Sequence, residues 1–545
     1  MSAEPGDRRL RVRAAIAVAL LGLCMVVTLH TRRAEFFLDD HLIDAITRSA
    51  VDPFWFFGHR HFFTEHLHRP MGFASWWLLA AAGPGAGPQL LGNALLLAVN
   101  GTLLAWLLLR WQVPALVAGL TAALWIAHPG SVVFAGWAAN RFELLATAFG
   151  LACLSAWTAF LFETRSRQAV PNAVLTAALA VAALLSKESA VVLAPLLLVM
   201  ATTARPAGGV RRRLVGGTAV AIAAVLAAFA GYRRWLHVGL PQEVIDANGN
   251  FAWLAGIAKW WRHLPEFICT ASALPAALGW LTLAVLPVAV LALSLWAWRR
   301  CRRSSEAPCP QWPVLIGGLL ALAMPVIQVG HLSLATMAFV DPAGRMTGLF
   351  VERFYFQGGM GLLMIGAGLL AGWLRRSAGR SGRKSPAAWA MVAGVLAVVA
   401  YQGHRSRETT DRWPDVTRDI VRLARAAADA LDASDARSRP GCRVRFTGAP
   451  SPVFVAFAEG MIKPMVGAEP ALGRCIIETE TRPMISMTHA SRIGDYATPK
   501  AAAELPRVGD WYFLRPTLVG DSTAPVTHAW RFDPPTAGFQ VITAP

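Results

Sequence analysis

Apolar runs close to the length of a bilayer crossing recur from one end of this chain to the other, which leaves little room for a water-soluble fold. A helix needs roughly 20 apolar residues to span the hydrocarbon core. Runs of that order cover 14–34, 88–109, 113–129, 142–162, 170–186, 189–204, 213–236, 277–298, 313–335, 357–374 and 387–404. The expected fold class is a polytopic α-helical membrane protein of about eleven transmembrane helices. Composition points the same way, with 55% hydrophobic and only 15% charged residues among 545. A soluble protein carries nearer a quarter charged residues.

The net charge of +18 would suit a nucleic-acid partner if it formed one face. Instead the basic residues sit in short loops between apolar runs, the pattern of cytoplasmic membrane loops. No nucleic-acid partner is expected. The segment "MSAEPGDRRLRVRAAIAVALLGLCMVVTLHTRR" lacks a small-residue cleavage site, so it reads as an uncleaved signal-anchor with a cytoplasmic N-terminus. Counting from there, even-numbered spans deliver "ETRSRQ", "RPAGGVRRR", "WRRCRR" and "RRSAGRSGRKSP" to the same side. The expected location is the plasma (inner) membrane, with 35–87, about 237–276 and the tail from 405 facing outward.

Two domains are expected: a transmembrane catalytic part, 1–404, with its first outer loop at 35–87, and a small extracytoplasmic α/β domain, 405–545. The tail opens on a helical pattern, "WPDVTRDIVRLARAAADALDA". Short strand-like runs follow: "CRVRF", "PVFVAFA", "RCIIETE", "WYFLRP" and "FQVITAP". The 7 cysteines contain no C-x-x-C pair. Five lie in or beside apolar runs and read as small apolar residues. The other two, Cys442 and Cys475, lie outside by this topology and are expected to form a disulfide.

The candidate chemistry gathers at outer ends of spans. "FFLDDHLI" places Asp39 and Asp40 side by side where the first helix meets water. Adjacent carboxylates raise each other's pKa and suit proton abstraction. One is expected to be a base and its neighbour to orient it, with Asp40 favoured as the residue farther from the span. "AHPGSVVFAGWAANRFELLATAFGLA" brings His128, Asn140, Arg141 and Glu143 to the same face. "LLSKESAVVLAPLLL" brings Lys187 and Glu188, and "FVERFYFQGG" brings Glu352 and Arg353. The flat fork of arginine matches phosphate oxygens, so Arg69, Arg141 and Arg353 are expected to hold phosphate. With Glu143, Lys187 and Glu188 they form the expected substrate-binding set. "DPFWFFGHRHFF" suits the headgroup layer. The histidines at 41, 59, 61, 66 and 68 show no fixed metal signature, so no metal ligand and no cofactor is assigned; a divalent metal stays open as an alternative.

These residues, with "HRPMGFASWWLL" and "ERFYF" in the same order, resemble the GT-C superfamily of integral-membrane glycosyltransferases, and within it the O-mannosyltransferase-like branch. The resemblance spans roughly residues 10–375. It implies inverting transfer of a sugar from a polyprenyl-phosphate donor to an acceptor hydroxyl, with a first-loop aspartate as base. Glu143 stands where relatives tend to have aspartate, and the tail lacks tetratricopeptide repeats. The residues agree with that chemistry: there is no D-x-D, and no lysine follows a glycine, so neither a nucleotide-sugar site nor a P-loop is present. The implied partners are a polyprenyl-phosphate-linked sugar, membrane lipid, and an acceptor that is a glycan, a lipid or a protein. The alternatives are a membrane transporter or flippase of a lipid-linked or anionic substrate, and a non-catalytic scaffold for the tail. Against transport stands the gathering of polar residues at outer ends rather than at mid-membrane.

Overall fold

The computed structural model describes residues 5–37, 40–59, 68–162, 166–204, 211–236, 276–304, 308–329, 352–381 and 386–433, single positions between 257 and 268, Ile462, and short strands between 443 and 542. Six helical segments among these are long and apolar enough to cross a membrane: Leu10–Arg33, Ala86–Arg110, Ala138–Phe162, Val215–Trp235, Ala277–Arg303 and Phe356–Ser377. The chain is thus a multi-pass helical membrane protein. Among the described residues this is fewer than the eleven expected. Val170–Ser186, Glu188–Thr203 and Trp312–Ile327 are apolar but short. The third expected span, 113–129, is α6 (Ala115–Ala127), and a further short helix, α7 (Pro129–Gly136), follows it at a bend of 62°. Pro129 explains the break: it lacks an N–H and drives the preceding residue out of the helical region, and His128 is extended (φ −65, ψ 134).

Helix α1 (Pro5–Thr28) lies along α5 (Ala86–Arg110) and α6. α5 and α8 (Arg141–Phe162) run side by side in one direction, joined along their length. Asn100 donates to the Leu144 carbonyl at 2.9 Å, and the Trp111 indole to Thr158 at 3.1 Å. α9 (Ser166–Ser186) returns along α8, followed by α10 (Leu193–Thr203) and α11 (Arg211–Trp235). Beyond them pack α12 (Ala276–Arg303), α13 (Trp312–Val329) and α14 (Glu352–Ser381). The α13–α14 crossing is held close by paired glycines. A Cβ on Gly317 would lie 2.5 Å from the Gly361 carbonyl, and one on Gly361 equally close to the Gly317 carbonyl.

The two ends of the bundle differ in chemistry. One end carries Arg110, Arg300, Arg302, Arg303 and Arg375, the last donating to the Gln112 carbonyl at 3.4 Å. There Trp312 packs on Trp111 and Phe162 and donates to Thr203 at 3.1 Å. Cys301, near the end of α12, and Cys309, just before α13, expected as plain apolar residues, are bridged at this end with Cα atoms 5.4 Å apart. The opposite end carries the acidic candidates and α2 (Asp40–Ser49), α3 (Trp55–Gly58) and α4 (Pro70–Ala80).

The last apolar run and the helical start of the tail form one helix, α15 (Pro386–Asp432). Its second half stitches the acidic end together. Thr410 donates to the Val27 carbonyl at 2.6 Å, Trp413 to Gly136 at 2.7 Å, and Thr417 accepts from the Glu35 amide at 3.2 Å. In the tail, β1 (Arg443–Thr447) lies between β2 (Ile476–Thr479) and β5 (His528–Asp533), parallel to both. β6 (Gly538–Ile542) pairs antiparallel with β5, and β3 (Arg507–Val508) with β4 (Trp511–Tyr512). The run "PVFVAFA" lies outside the described residues.

The Trp413 indole rests so close to Gly136 that an added Cβ would fall 2.5 Å from its Nε1. Gly136→Ala is therefore expected to cost about 1–3 kcal/mol through overpacking, read as a lower melting temperature of the purified full-length protein. An unchanged melting temperature would remove α15 from the architecture of this end.

Candidate active site

The site begins with the aromatic pair ahead of the acids. Phe36 stacks on Trp76 at 5.8 Å, and Phe37 meets Trp137 and Trp413 at 5.5 and 5.0 Å. These contacts fix the chain that enters α2. Asp40, the first residue of α2, is fully buried. Its carboxylate accepts from the Phe37 amide (3.0 Å) and the Ala138 amide (3.2 Å) on Oδ2, and from the Ala139 amide (2.7 Å) on Oδ1. It therefore caps the short turn Ala138–Asn140 that opens α8.

Arg141 follows and is also fully buried. Its Nε donates to the Asn93 side chain at 3.1 Å, and its two terminal nitrogens donate to the Gln89 side chain and the Gln89 carbonyl. Asn93 in turn donates to the carbonyls of Phe134 (3.0 Å) and Trp137 (2.9 Å), and Gln89 to that of Trp76 (3.0 Å). All three guanidinium nitrogens thus face inward. Arg141, expected among the phosphate holders, donates to Asn93 and Gln89 through these three nitrogens.

Two residues on, Glu143 is ion-paired with Lys187. Glu188 takes the next cations. Arg69 reaches it through Nε and a terminal nitrogen, both at 3.0 Å, and Arg233 lies 3.6 Å away. The His68 amide adds a bond at 3.4 Å. Arg69 also sits 5.6 Å over the Phe142 ring. Asp40, Arg141, Glu143, Lys187, Glu188 and Arg69 therefore lie along one continuous run at one end of the bundle. Asp39, the other half of the acidic pair, lies outside the described residues, as do His61 and His66. Arg353 lies on the first turn of α14, and its side chain is outside the described residues.

Sequence reasoning passed over Gln89 and Asn93, and over Tyr232 and Arg233. Polar residues inside the apolar run "GPQLLGNALLL" were the available signal for the first two. Tyr232 donates to the Phe57 carbonyl at 2.7 Å and accepts from His68 Nε2 at 2.8 Å. Among the described residues no group of three histidine, cysteine, aspartate or glutamate side chains is placed to hold a metal ion.

No family model matches the chain, and no curated relative matches it. Among solved structures, the oligosaccharyltransferase of Archaeoglobus fulgidus, crystallised tethered to an acceptor peptide containing the NVT sequon, aligns at 11% identity and a TM-score of 0.43. The alignment covers 83% of this chain and 63% of that one, so this chain matches less than two thirds of its length.

Burial, with Arg233 nearby, lowers the pKa of His68 to about 3, and burial lowers that of His41 to about 4, both from 6.5. Above pH 6.5 both histidines are neutral whether the chain is folded or not. Below it the unfolded chain gains protons that the folded chain refuses until about pH 3–4. Stability is therefore expected to fall as pH drops from 6.5 toward 4. His68→Gln should flatten that slope in melting curves measured across the window. An equal slope in wild type and variant would mean that His68 is charged in the folded protein.

Proposed function

We propose that the chain is an inverting membrane glycosyltransferase that moves a sugar from a polyprenyl-phosphate donor to an acceptor hydroxyl on the extracytoplasmic face. The observation that carries this reading is the continuous run of carboxylates and cations at one end of a membrane bundle. Displacing a phosphate from an anomeric carbon asks for a base at the acceptor hydroxyl and cations at the departing phosphate. In the proposed step the base takes the hydroxyl proton and the acceptor oxygen bonds to the anomeric carbon from the face opposite the phosphate. The carbon–oxygen bond to phosphate breaks, leaving polyprenyl phosphate beside the cations. The acceptor is a glycan, a lipid or a protein. The basic end faces the cytoplasm of the plasma (inner) membrane in this proposal, since positive loops stay inside.

Within the acidic pair we assign the base to Asp39. Both oxygens of Asp40 already accept backbone N–H groups, which suits it to orient its neighbour rather than to move a proton. Arg69 and Arg353, with Arg233, are the proposed phosphate holders, and Lys187–Glu143 positions Glu188 among them. Asp39→Asn is expected to lower transfer about 10²–10⁴-fold with melting temperature and donor binding retained. Asp40→Asn should lower stability as well as transfer. Release of polyprenyl phosphate by purified protein from polyprenyl-linked sugars is the assay. More than about a tenth of wild-type activity in Asp39→Asn would sink the assignment.

The tail, 405–545, is proposed as an extracytoplasmic α/β domain whose opening helix packs on the bundle and whose strands are closed by a Cys442–Cys475 disulfide. Both cysteines lie outside the described residues, and each directly precedes a strand. Those strands pair in parallel with Arg443 opposite Ile476, which supports the bridge. Alkylation of denatured, unreduced protein should leave both thiols unlabelled. Two labelled thiols at these positions would exclude it.

A further inference from the structure

Two neighbouring pairs in the sequence, His68-Arg69 and Tyr232-Arg233, meet at the candidate site, and one hydroxyl joins them. His68 is buried and Tyr232 half-buried. Tyr232 has a single O–H hydrogen and donates it to the Phe57 carbonyl at 2.7 Å. It therefore accepts from His68 Nε2–H at 2.8 Å, which fixes the tautomer of a ring that burial keeps neutral. The two rings also meet, with centroids 5.3 Å apart. One side chain of α11 thus ties down two other segments: α3 through Phe57, and the residue just before the Arg69 N-cap of α4.

The residue after each partner is an arginine, and both arginines converge on Glu188. Arg69 approaches it at 3.0 Å and Arg233 at 3.6 Å, all three side chains being largely buried. The two cations come from different segments, so their convergence depends on how α11 is turned. Successive side chains on a helix diverge by about 100°, and rotation of α11 carries Tyr232 and Arg233 together. Along the same helix, Val225 and Leu226 face an apolar crevice against α9 and α10. Apolar packing of that kind is non-directional. The hydroxyl of Tyr232, bonded on both sides, supplies the direction.

We propose that Tyr232 is a positioning residue for the phosphate seat: through His68 and Phe57 it locks α11 in the rotation that places Arg233 beside Arg69, and so sets affinity for the donor's phosphate. It acts through Arg233, since its own hydroxyl is engaged by two protein groups. The role rests on the reading of Arg69 and Arg233 as phosphate holders.

The test titrates full-length protein in nanodiscs with polyprenyl phosphate and, in parallel, measures transfer from polyprenyl-linked sugar. Tyr232→Phe keeps the ring and loses the hydroxyl. It should weaken polyprenyl phosphate binding about tenfold and raise the donor KM to match, with kcat unchanged. His68→Leu should do the same, and serves if the first variant misfolds. His68→Gln, which keeps an N–H near the position of Nε2, should bind nearly as wild type does. In an Arg233→Gln background Tyr232→Phe should cost nothing further. Trp235→Leu, exposed at the end of the same helix, should leave affinity unaltered. Equal affinity in wild type and Tyr232→Phe, a loss that adds in full to that of Arg233→Gln, or a fall in kcat alone would each overturn the role. Tyr232-dependent binding in a protein that transfers no sugar would uphold the seat and sink the transferase reading; transfer with binding indifferent to Tyr232 would do the reverse.

Discussion

A guanidinium buried inside a membrane bundle must have every N–H directed at an acceptor, and Arg141 sets that requirement for this whole end of the molecule. Leaving a buried donor without its acceptor typically costs about 1–3 kcal/mol, and more when the donor is charged. The demand is met by Gln89 and Asn93 on α5, one turn apart, and Asn93 also ties down the carbonyls left open where α7 stops and α8 starts. Asp40 completes the arrangement from the other side by accepting the amides of the same break. A helix break that would otherwise expose backbone polar groups thus becomes the point where α2, α5, α7 and α8 meet.

The aromatic side chains depend on that meeting point. Phe37 can pack between Trp137 and Trp413 only because Asp40 holds the chain to the Ala138–Asn140 turn. Trp413 reaches it only because Gly136 has no side chain. α15 is drawn onto the acidic end through Thr410, Trp413 and Thr417, all of which bond outside their own helix. One helix therefore leads from the last apolar run directly over the candidate site and on to the strands of the tail.

The two levels of the reading differ in what a sequence can carry. Apolar length and arginine placement are local properties, so the membrane class and the polarity of the bundle were legible from "WRRCRR" and its counterparts. The pairing of Lys187 with Glu143 and of Glu188 with Arg69 was anticipated only as a gathering of charges on one face. The partners of Asp40 and Arg141 were not legible, because backbone amides carry no letter in a sequence and Gln89 looks like any polar residue near a helix end. The span ending at Pro129 was legible, whereas the short helix that continues beyond it at a bend was not. Arg233 and Tyr232 escaped because they close a helix whose length alone had been used.

The basic end sets two rules against each other, and their comparison decides how far each can be taken. Positive loops belong in the cytoplasm, where disulfides are rare, yet Cys301 and Cys309 are bridged within that end. The arginine evidence is distributed: α5, α12 and α14 each finish there with their own cations. The bridge closes only a short loop between α12 and α13, which already pack closely where Gly318 faces Ser294. Both sulfurs are buried, so opening the bond would leave two apolar thiols in the same packing and little else changed. In the proposed orientation sidedness rests on the charges, and the bridge joins helices that already pack.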